Sequence, residues 1–190
     1  MKAVRYFFLI FIGYTIATLL AVGPEPINHL LFSLSFFGCI YLFYKKEVKY
    51  PKLKLNKKDC LMIVFGVLTL IALDVLLIYI LPKPIEEQHV KTMIQSYGLL
   101  GIFLSCIVAP FVEEFIFRYI PQNDKATIVT SIIMFGLMHT QISKDLYTSL
   151  YPAIVTTLNG IVFYIFYKKT DNLYVSILIH AIVNFIALGL

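Results

Sequence analysis

Six ionisable side chains stand out within the long apolar stretches of this 190-residue sequence. A charged group surrounded by hydrocarbon is tolerated only when it is paired or faces a polar cavity, so these residues are the first candidates for chemistry. They are Asp74, Glu113, Glu114, Arg118, His139 and His180, with Asn159 and Asn184 as uncharged companions. All except Asp74 lie in the second half of the chain, which predicts that this half carries the chemistry.

The first cluster is Val-Glu-Glu-Phe-Ile-Phe-Arg, residues 112–118. Glu114 and Arg118 are four residues apart, on one face of a helix, and can neutralise each other. Glu113 is rotated by about 100° from Glu114 and has no such partner. The segment could be only an internal salt bridge with an acid near the membrane surface. That interpretation explains Glu114 and Arg118 better than Glu113, which needs a polar cavity or a metal.

Two histidines follow on separate apolar segments. His139 ends the stretch Phe-Gly-Leu-Met-His, and His180 precedes Asn184 by one helical turn, on the same face. Together with Glu113 they could hold a divalent metal such as zinc and its bound water. Alternatively, the carboxylate and imidazoles could act directly as general bases. The sequence leaves both forms open, with Glu113, His139 and His180 as the metal ligands in the first.

The three motifs Glu-Glu-x-x-x-Arg, Phe-x-x-x-His and His-x-x-x-Asn, each on its own apolar segment, resemble the CPBP family (CAAX protease and bacteriocin-processing, also called Abi). The resemblance covers about residues 97–190 and includes Gly160. It implies an intramembrane endopeptidase whose Glu113 and His139 activate the attacking water. It also implies that His180 and Asn184 complete the site and support the oxyanion, with Glu114 and Arg118 as a supporting ion pair.

The elements that must position these residues are membrane helices. Hydrophobic residues make up 59% of the chain and charged residues only 14%, where about a quarter is usual in soluble domains. Seven apolar segments predict an all-α polytopic membrane helix bundle of about seven transmembrane helices, with the site among the last four. They are 6–22, 27–44, 60–81, 97–120, 126–140, 147–167 and 173–190. The predicted units are N-terminal membrane spans, 1–96, and a catalytic bundle, 97–190.

Basic residues predict the orientation. With a cytoplasmic N-terminus, 13 of the 16 lysines and arginines fall on the inner side, including seven in the loop 45–59. This pattern favours a multi-pass protein of the cell membrane whose basic loop faces anionic lipid, and it argues against nucleic acid as the partner. His29 and His89 are predicted to be interfacial or loop residues. Residues 6–20 would also fit a secretory signal, but no clear cleavage site follows them.

Three functions remain open at this point. The first is a protease that acts on a membrane-associated peptide or protein, with water as the nucleophile. The second is a non-catalytic bacteriocin-immunity or scaffold protein, and the third is a transporter with a proton relay through Asp74 and Glu113. The protease hypothesis requires Glu113, His139 and His180 to share one cavity, predicted to open toward the cytoplasmic half. Helical rise puts Glu113 about 10 Å and His139 about 20 Å from the inner turn, so the fifth helix must tilt or break.

Overall fold

The computed structural model describes residues 2–24, 26–46, 54–81, 97–121, 124–141, 143 and 145–188. These ranges contain seven helices and no strand, so the predicted all-α bundle is confirmed. The helices are α1 Lys2–Leu20, α2 Ile27–Tyr44, α3 Lys57–Ile80, α4 Tyr97–Tyr119, α5 Lys125–Leu137, α6 Leu146–Thr170 and α7 Leu173–Ala187. Each coincides with one predicted apolar segment. His89, Lys83 and Lys91 lie outside the described residues, as does part of the basic loop.

Five of the described helices are long and apolar enough to cross a membrane, namely α1, α2, α3, α4 and α6. The other two, α5 with 13 residues and α7 with 15, are apolar but shorter. The predicted fifth segment, 126–140, is therefore longer than the helix that it forms. The chain leaves the helix at Leu137, and His139 lies in the turn that follows.

α4 lies against several other helices and is not a regular α-helix. A central α-helical piece, Ala109–Glu114, is flanked by two π-helical segments, Leu104–Val108 and Phe115–Tyr119. A π-helical turn widens the helix and changes which side chains share a face, and such turns are frequent at functional sites. The two glutamates end the α-helical piece, and Arg118 lies in the second π-helical segment.

α4 packs against α2, α5, α6 and α7, and α5 packs against α6. α1 packs against α2 and α5, whereas α3 packs against α6 and α7. Glycines allow the closest approaches. A Cβ on Gly136 of α5 would lie 2.7 Å from the carbonyl oxygen of Ala153 in α6 and would overlap the Thr157 hydroxyl, so only glycine fits there without a backbone shift. A Cβ on Gly160 would lie 3.0 Å from the Phe135 ring and 3.1 Å from the Arg118 guanidinium.

Side-chain caps fix where the helices begin. Asp124 accepts hydrogen bonds from the hydroxyl and the amide of Thr127 at the start of α5, and these bonds lower the pKa of Asp124. At the start of α3, Asn56 and Asp59 form a reciprocal capping box. Asn172, which caps α7, donates to both the Asp59 carboxylate and the Lys54 carbonyl. This second set ties the start of α3 to the α6–α7 turn.

Candidate active site

The predicted ion pair between Glu114 and Arg118 is confirmed. Arg118 Nε lies 3.3 Å from Glu114 Oε2, and the two side chains are 1% and 0% exposed. The guanidinium lies 4.0 Å from the centroid of the Phe135 ring and 5.3 Å from that of Phe163. None of its three nitrogens has a hydrogen-bond partner among the described residues, and neither does Glu114 Oε2, so the pair is held by charge at 3.3 Å. The buried positive charge is therefore balanced by one carboxylate and by the faces of two aromatic rings.

His180 connects the two adjacent glutamates. Its Nδ1 lies 3.0 Å from Glu114 Oε1, and its Nε2 lies 3.8 Å from Glu113 Oε2. Because the ion-paired Glu114 carboxylate can only accept, the proton of this hydrogen bond is on Nδ1. The ring also stacks on Phe163, with 4.6 Å between centroids. The orientation of His180 is thus fixed by Glu114 and Phe163, and Nε2 is directed toward Glu113.

The charges of this cluster do not cancel when His180 is neutral. Glu113 and Glu114 contribute two negative charges, and Arg118 contributes one positive charge. A positive charge on His180, or a proton on Glu113, would neutralise the remaining negative charge.

Glu113 is accessible, unlike Glu114. Its side chain is 23% exposed and lines a cavity of about 140 Å³ between the α1–α2 pair and α4. His139 lines the same cavity. The complete lining is Tyr14, His29, Phe32, Ser33, Phe36, Ala109, Val112, Glu113, Phe117, Met138 and His139. Glu113 therefore shares the cavity with His139 and contacts His180.

The end of α5 explains how His139 reaches this cavity. The Phe135 ring packs against Phe117 of α4, with 5.3 Å between centroids. The helix ends two residues later, at Leu137, so the end of the helix lies where the sequence required a tilt or a break. In the following turn, His139 Nδ1 lies 2.7 Å from the Phe135 carbonyl oxygen, which can only accept. The Nδ1 atom therefore carries the proton, and Nε2 of the neutral ring is left as an acceptor.

The predicted metal ligands do not form a ligand set in this structure. Among the described residues, which include Glu113, His139 and His180, no group of three or more His, Cys, Asp or Glu side chains could hold a metal ion. The divalent metal that the sequence leaves open, with Glu113, His139 and His180 as its ligands, stays a prediction. No step proposed below passes through a metal.

Asn184 lies one turn from His180 on α7, as predicted, but its side chain has another partner. Its Nδ2 donates to the Ser105 carbonyl oxygen at 2.9 Å, within the first π-helical segment of α4. A primary amide has two N–H groups, so one remains beyond this bond. The predicted oxyanion role of Asn184 stays a prediction, and the observed contact joins α7 to α4.

His29 is a cavity residue that the sequence analysis missed. It was expected to be an interfacial or loop residue, and it lies in the first turn of α2, where it also lines the cavity with Glu113. Its Nδ1 is buried and has no hydrogen-bond partner among the described residues. The apolar segment 27–44 includes His29, so the segment was predicted correctly. Its approach to Glu113 could not be predicted, because it depends on how α2 packs against α4.

The cavity lining shows which end of the α1–α2 pair lies beside Glu113. Tyr14 lies toward the C-terminal end of α1, and His29 lies at the N-terminal end of α2. Both positions are at the end of the α1–α2 pair that is remote from Lys2. The predicted opening of the cavity toward the cytoplasmic half of the membrane stays a prediction.

Asp74 and Asn159 are not among the residues that line this cavity. Asp74 lies in α3 and is half-buried, and α3 contributes no residue to the lining. Asn159 lies in α6, where its Oδ1 is buried without a hydrogen-bond partner among the described residues.

The sequence matches the family described as type II CAAX prenyl endopeptidase Rce1-like over residues 94–186. This range contains Glu113, Glu114, Arg118, His139, His180 and Asn184. It begins just before α4 and ends within α7, so α1, α2 and α3 lie outside it. No curated protein and no solved structure matches the chain.

Proposed function

The chain belongs to the CPBP family through residues 94–186, and from this premise we propose that it is an intramembrane CAAX-type endopeptidase. Its substrate is a membrane-associated peptide or protein, in which it hydrolyses a peptide bond. The observation that carries the proposal is the pair of contacts made by His180. Glu114 holds Nδ1 of His180, and Nε2 lies 3.8 Å from the accessible carboxylate of Glu113. Glu113 and His139 line the same cavity.

The nucleophile in this proposal is a water molecule in the cavity. A distance of 3.8 Å is too long for a direct hydrogen bond between Glu113 and His180, but it leaves room for a bridging water nearby. The ionised Glu113 carboxylate takes a proton from the water as oxygen attacks the carbonyl carbon. Nε2 of His139 is a second acceptor on the same wall, because its Nδ1 proton is committed to Phe135.

The same residues serve the later steps. A protonated His180 would offer an Nε2–H group to the developing oxyanion and would balance the negative charge of the glutamates. The free N–H of Asn184 is the second proposed donor. Collapse of the tetrahedral intermediate then transfers the proton from Glu113 to the leaving amine nitrogen. Glu114 and Arg118 act through His180, whose ring they hold in position.

The direct test is a cleavage assay with protein reconstituted in liposomes. A farnesylated peptide ending in a CAAX sequence, the same peptide without the lipid, and a transmembrane peptide would be compared by mass spectrometry. We expect Glu113→Gln and His139→Gln each to lower the cleavage rate by about 10²–10⁴-fold. Asp74→Asn is the matched control, since it also removes a carboxylate within a helix, and it should retain activity.

The outcomes separate the three functions. Cleavage that survives Glu113→Gln would overturn the proposed mechanism. Binding of a peptide with no hydrolysis by the unmodified protein would favour the immunity or scaffold function, for which the buried Glu114–Arg118–His180 network is only structural. A proton flux that requires both Asp74 and Glu113 would favour the transporter.

We further propose that the N-terminus and the basic loop 45–59 face the cytoplasm. Arg118 is buried in α4 and does not count as a loop residue, but 12 of the other 15 basic residues still fall on the predicted inner side. A cysteine at Leu55, in a chain whose three native cysteines are replaced, should resist an impermeant thiol reagent in intact cells. Labelling of this cysteine without permeabilisation would show that the loop faces the outside and would contradict the proposed orientation.

A further inference from the structure

The side chain of Tyr6 in α1 makes a contact with α4, which is distant in sequence. Its hydroxyl donates to the carbonyl oxygen of Ile116 at 2.8 Å, across 110 residues of sequence. Tyr6 is fully buried, and its ring also lies against Tyr44 of α2. The bond is therefore formed inside the bundle, where water does not compete for the Tyr6 hydroxyl or the Ile116 carbonyl.

The Ile116 carbonyl needs this donor because α4 cannot supply one. In the second π-helical segment the amide of Ile120 bonds the carbonyl of Phe115, five residues earlier. The residue five positions after Ile116 is Pro121, which has no N–H. A buried carbonyl without a partner is unfavourable, and the Tyr6 hydroxyl takes the place of the missing amide.

We infer that Tyr6 is a positioning residue for the proposed active site, acting through the second π-helical segment. Ile116 lies between Glu114 and Arg118 in sequence, so its carbonyl helps to set the path of the backbone that carries both. Arg118 holds Glu114, and Glu114 holds Nδ1 of His180. Loss of the Tyr6 bond would leave Ile116 unsatisfied and allow this segment to rearrange.

The inference rests on the proposed function and assigns a role to a part of the chain that the family match does not cover. α1 lies outside residues 94–186. By this inference the first helix supplies a hydrogen bond on which the catalytic helix depends, in addition to crossing the membrane.

The variant Tyr6→Phe removes only the hydroxyl and keeps the ring in the core. Tyr41→Phe is the matched control, because Tyr41 also packs near Phe115 but has no hydrogen bond from its hydroxyl within the part of the chain that is described. We expect Tyr6→Phe to lower kcat for the cleaved peptide about tenfold with little change in KM. Tyr41→Phe should behave like the unmodified protein.

A rescue variant tests the physical reason. Pro121→Ala restores a backbone N–H five residues after Ile116, where a π-helical turn would direct it to the orphaned carbonyl. The double variant Tyr6→Phe/Pro121→Ala should recover at least part of the lost kcat. A general weakening of the bundle would not be repaired by this change.

A second measurement does not depend on cleavage. In protein labelled with ¹⁵N-histidine, the Nδ1 and Nε2 signals of His180, assigned with His180→Gln, report the bond to Glu114. We expect these signals to shift in Tyr6→Phe, to return toward their original positions in the double variant, and to stay unchanged in Tyr41→Phe. Unchanged His180 signals in Tyr6→Phe would overturn the inference. Absence of cleavage by the unmodified protein would count against the proposed function alone.

Discussion

The first three helices and the last four differ in what they bury. Within the hydrophobic spans of α1, α2 and α3 only 17–22% of residues are buried, against 44% in α4 and 33% in α6. The last four helices hold the cluster of Glu114, Arg118 and His180, while the first three present mostly apolar side chains to their surroundings. The first three helices nevertheless contribute contacts near the site. Tyr6 bonds the Ile116 carbonyl, His29 lines the cavity, and Asp59 accepts a hydrogen bond from Asn172 at the start of α7.

This difference shows that exposure to lipid and involvement in the site are separate properties of a helix. A helix can have most of its surface against hydrocarbon and still place one polar atom where the site requires it. Sequence comparison across 94–186 detects the cluster in the last four helices, but not these isolated contacts from α1, α2 and α3.

The largest effect on stability is expected within the last four helices. Glu114→Ala would leave Arg118 and His180 without their buried carboxylate and should lower the free energy of unfolding by about 3–5 kcal/mol. Glu113→Ala removes a partly exposed acid and should leave stability nearly unchanged. The two variants are compared by thermal unfolding in detergent. Unfolding is followed by the near-UV circular dichroism of tyrosine and phenylalanine, because the sequence contains no tryptophan. Equal melting temperatures would remove the distinction between the two glutamates.

Gly136→Ala should have the next largest effect. The added Cβ would meet the backbone of Ala153, so α5 must move away from α6, at a cost of about 1–3 kcal/mol. This movement would also shift His139, and we expect lower activity in parallel with lower stability. Gly38→Ala is the matched control, since a Cβ there meets nothing within 4 Å. The same melting measurement, with a cleavage assay, checks the result.

His29→Ala tests whether the first three helices contribute to the cavity. The imidazole forms part of the wall opposite α4, so we expect KM for the peptide to rise by about tenfold while the melting temperature is unchanged. The neighbouring Asn28→Ala is the control, because Asn28 is not among the residues that line the cavity. Identical kinetics for both variants would limit the site to the last four helices.

The smallest effect is expected for Asn172→Ala, where the first three helices contact the last four. The change removes the bonds to Asp59 and Lys54 and the cap on the Tyr174 amide, but Asp59 keeps its bond to the Asn56 amide. A loss of about 1 kcal/mol in stability, with kcat and KM unchanged, would identify this contact as purely structural. A change in kcat would instead show that the junction of α3 and α7 influences the site.

Local properties of the sequence predicted much of this structure. The seven apolar segments correspond to the seven described helices, because hydropathy and length alone decide which stretches can be membrane helices. The Glu114–Arg118 pair follows from a spacing of four residues. Neither prediction requires knowledge of how distant helices pack.

The remaining features depend on such packing. The bond between His180 and Glu114 crosses 66 residues, and the one between Tyr6 and Ile116 crosses 110. The π-helical segments have no marker in the apolar pattern, and the Asn184 amide donates to the Ser105 carbonyl in the first of them.

The short helix α5 also has a consequence for the surrounding bilayer. Thirteen residues rise only about 20 Å, roughly 10 Å less than a typical hydrocarbon core. Val129, Ile133 and Leu137 form an outward stripe with exposures of 56%, 49% and 50%, so this face meets lipid. Lipid chains beside α5 must therefore shorten or tilt to match it, which creates a local hydrophobic mismatch. Where the membrane is thinnest, water and polar peptide segments have the least hydrocarbon to cross on their way to His139.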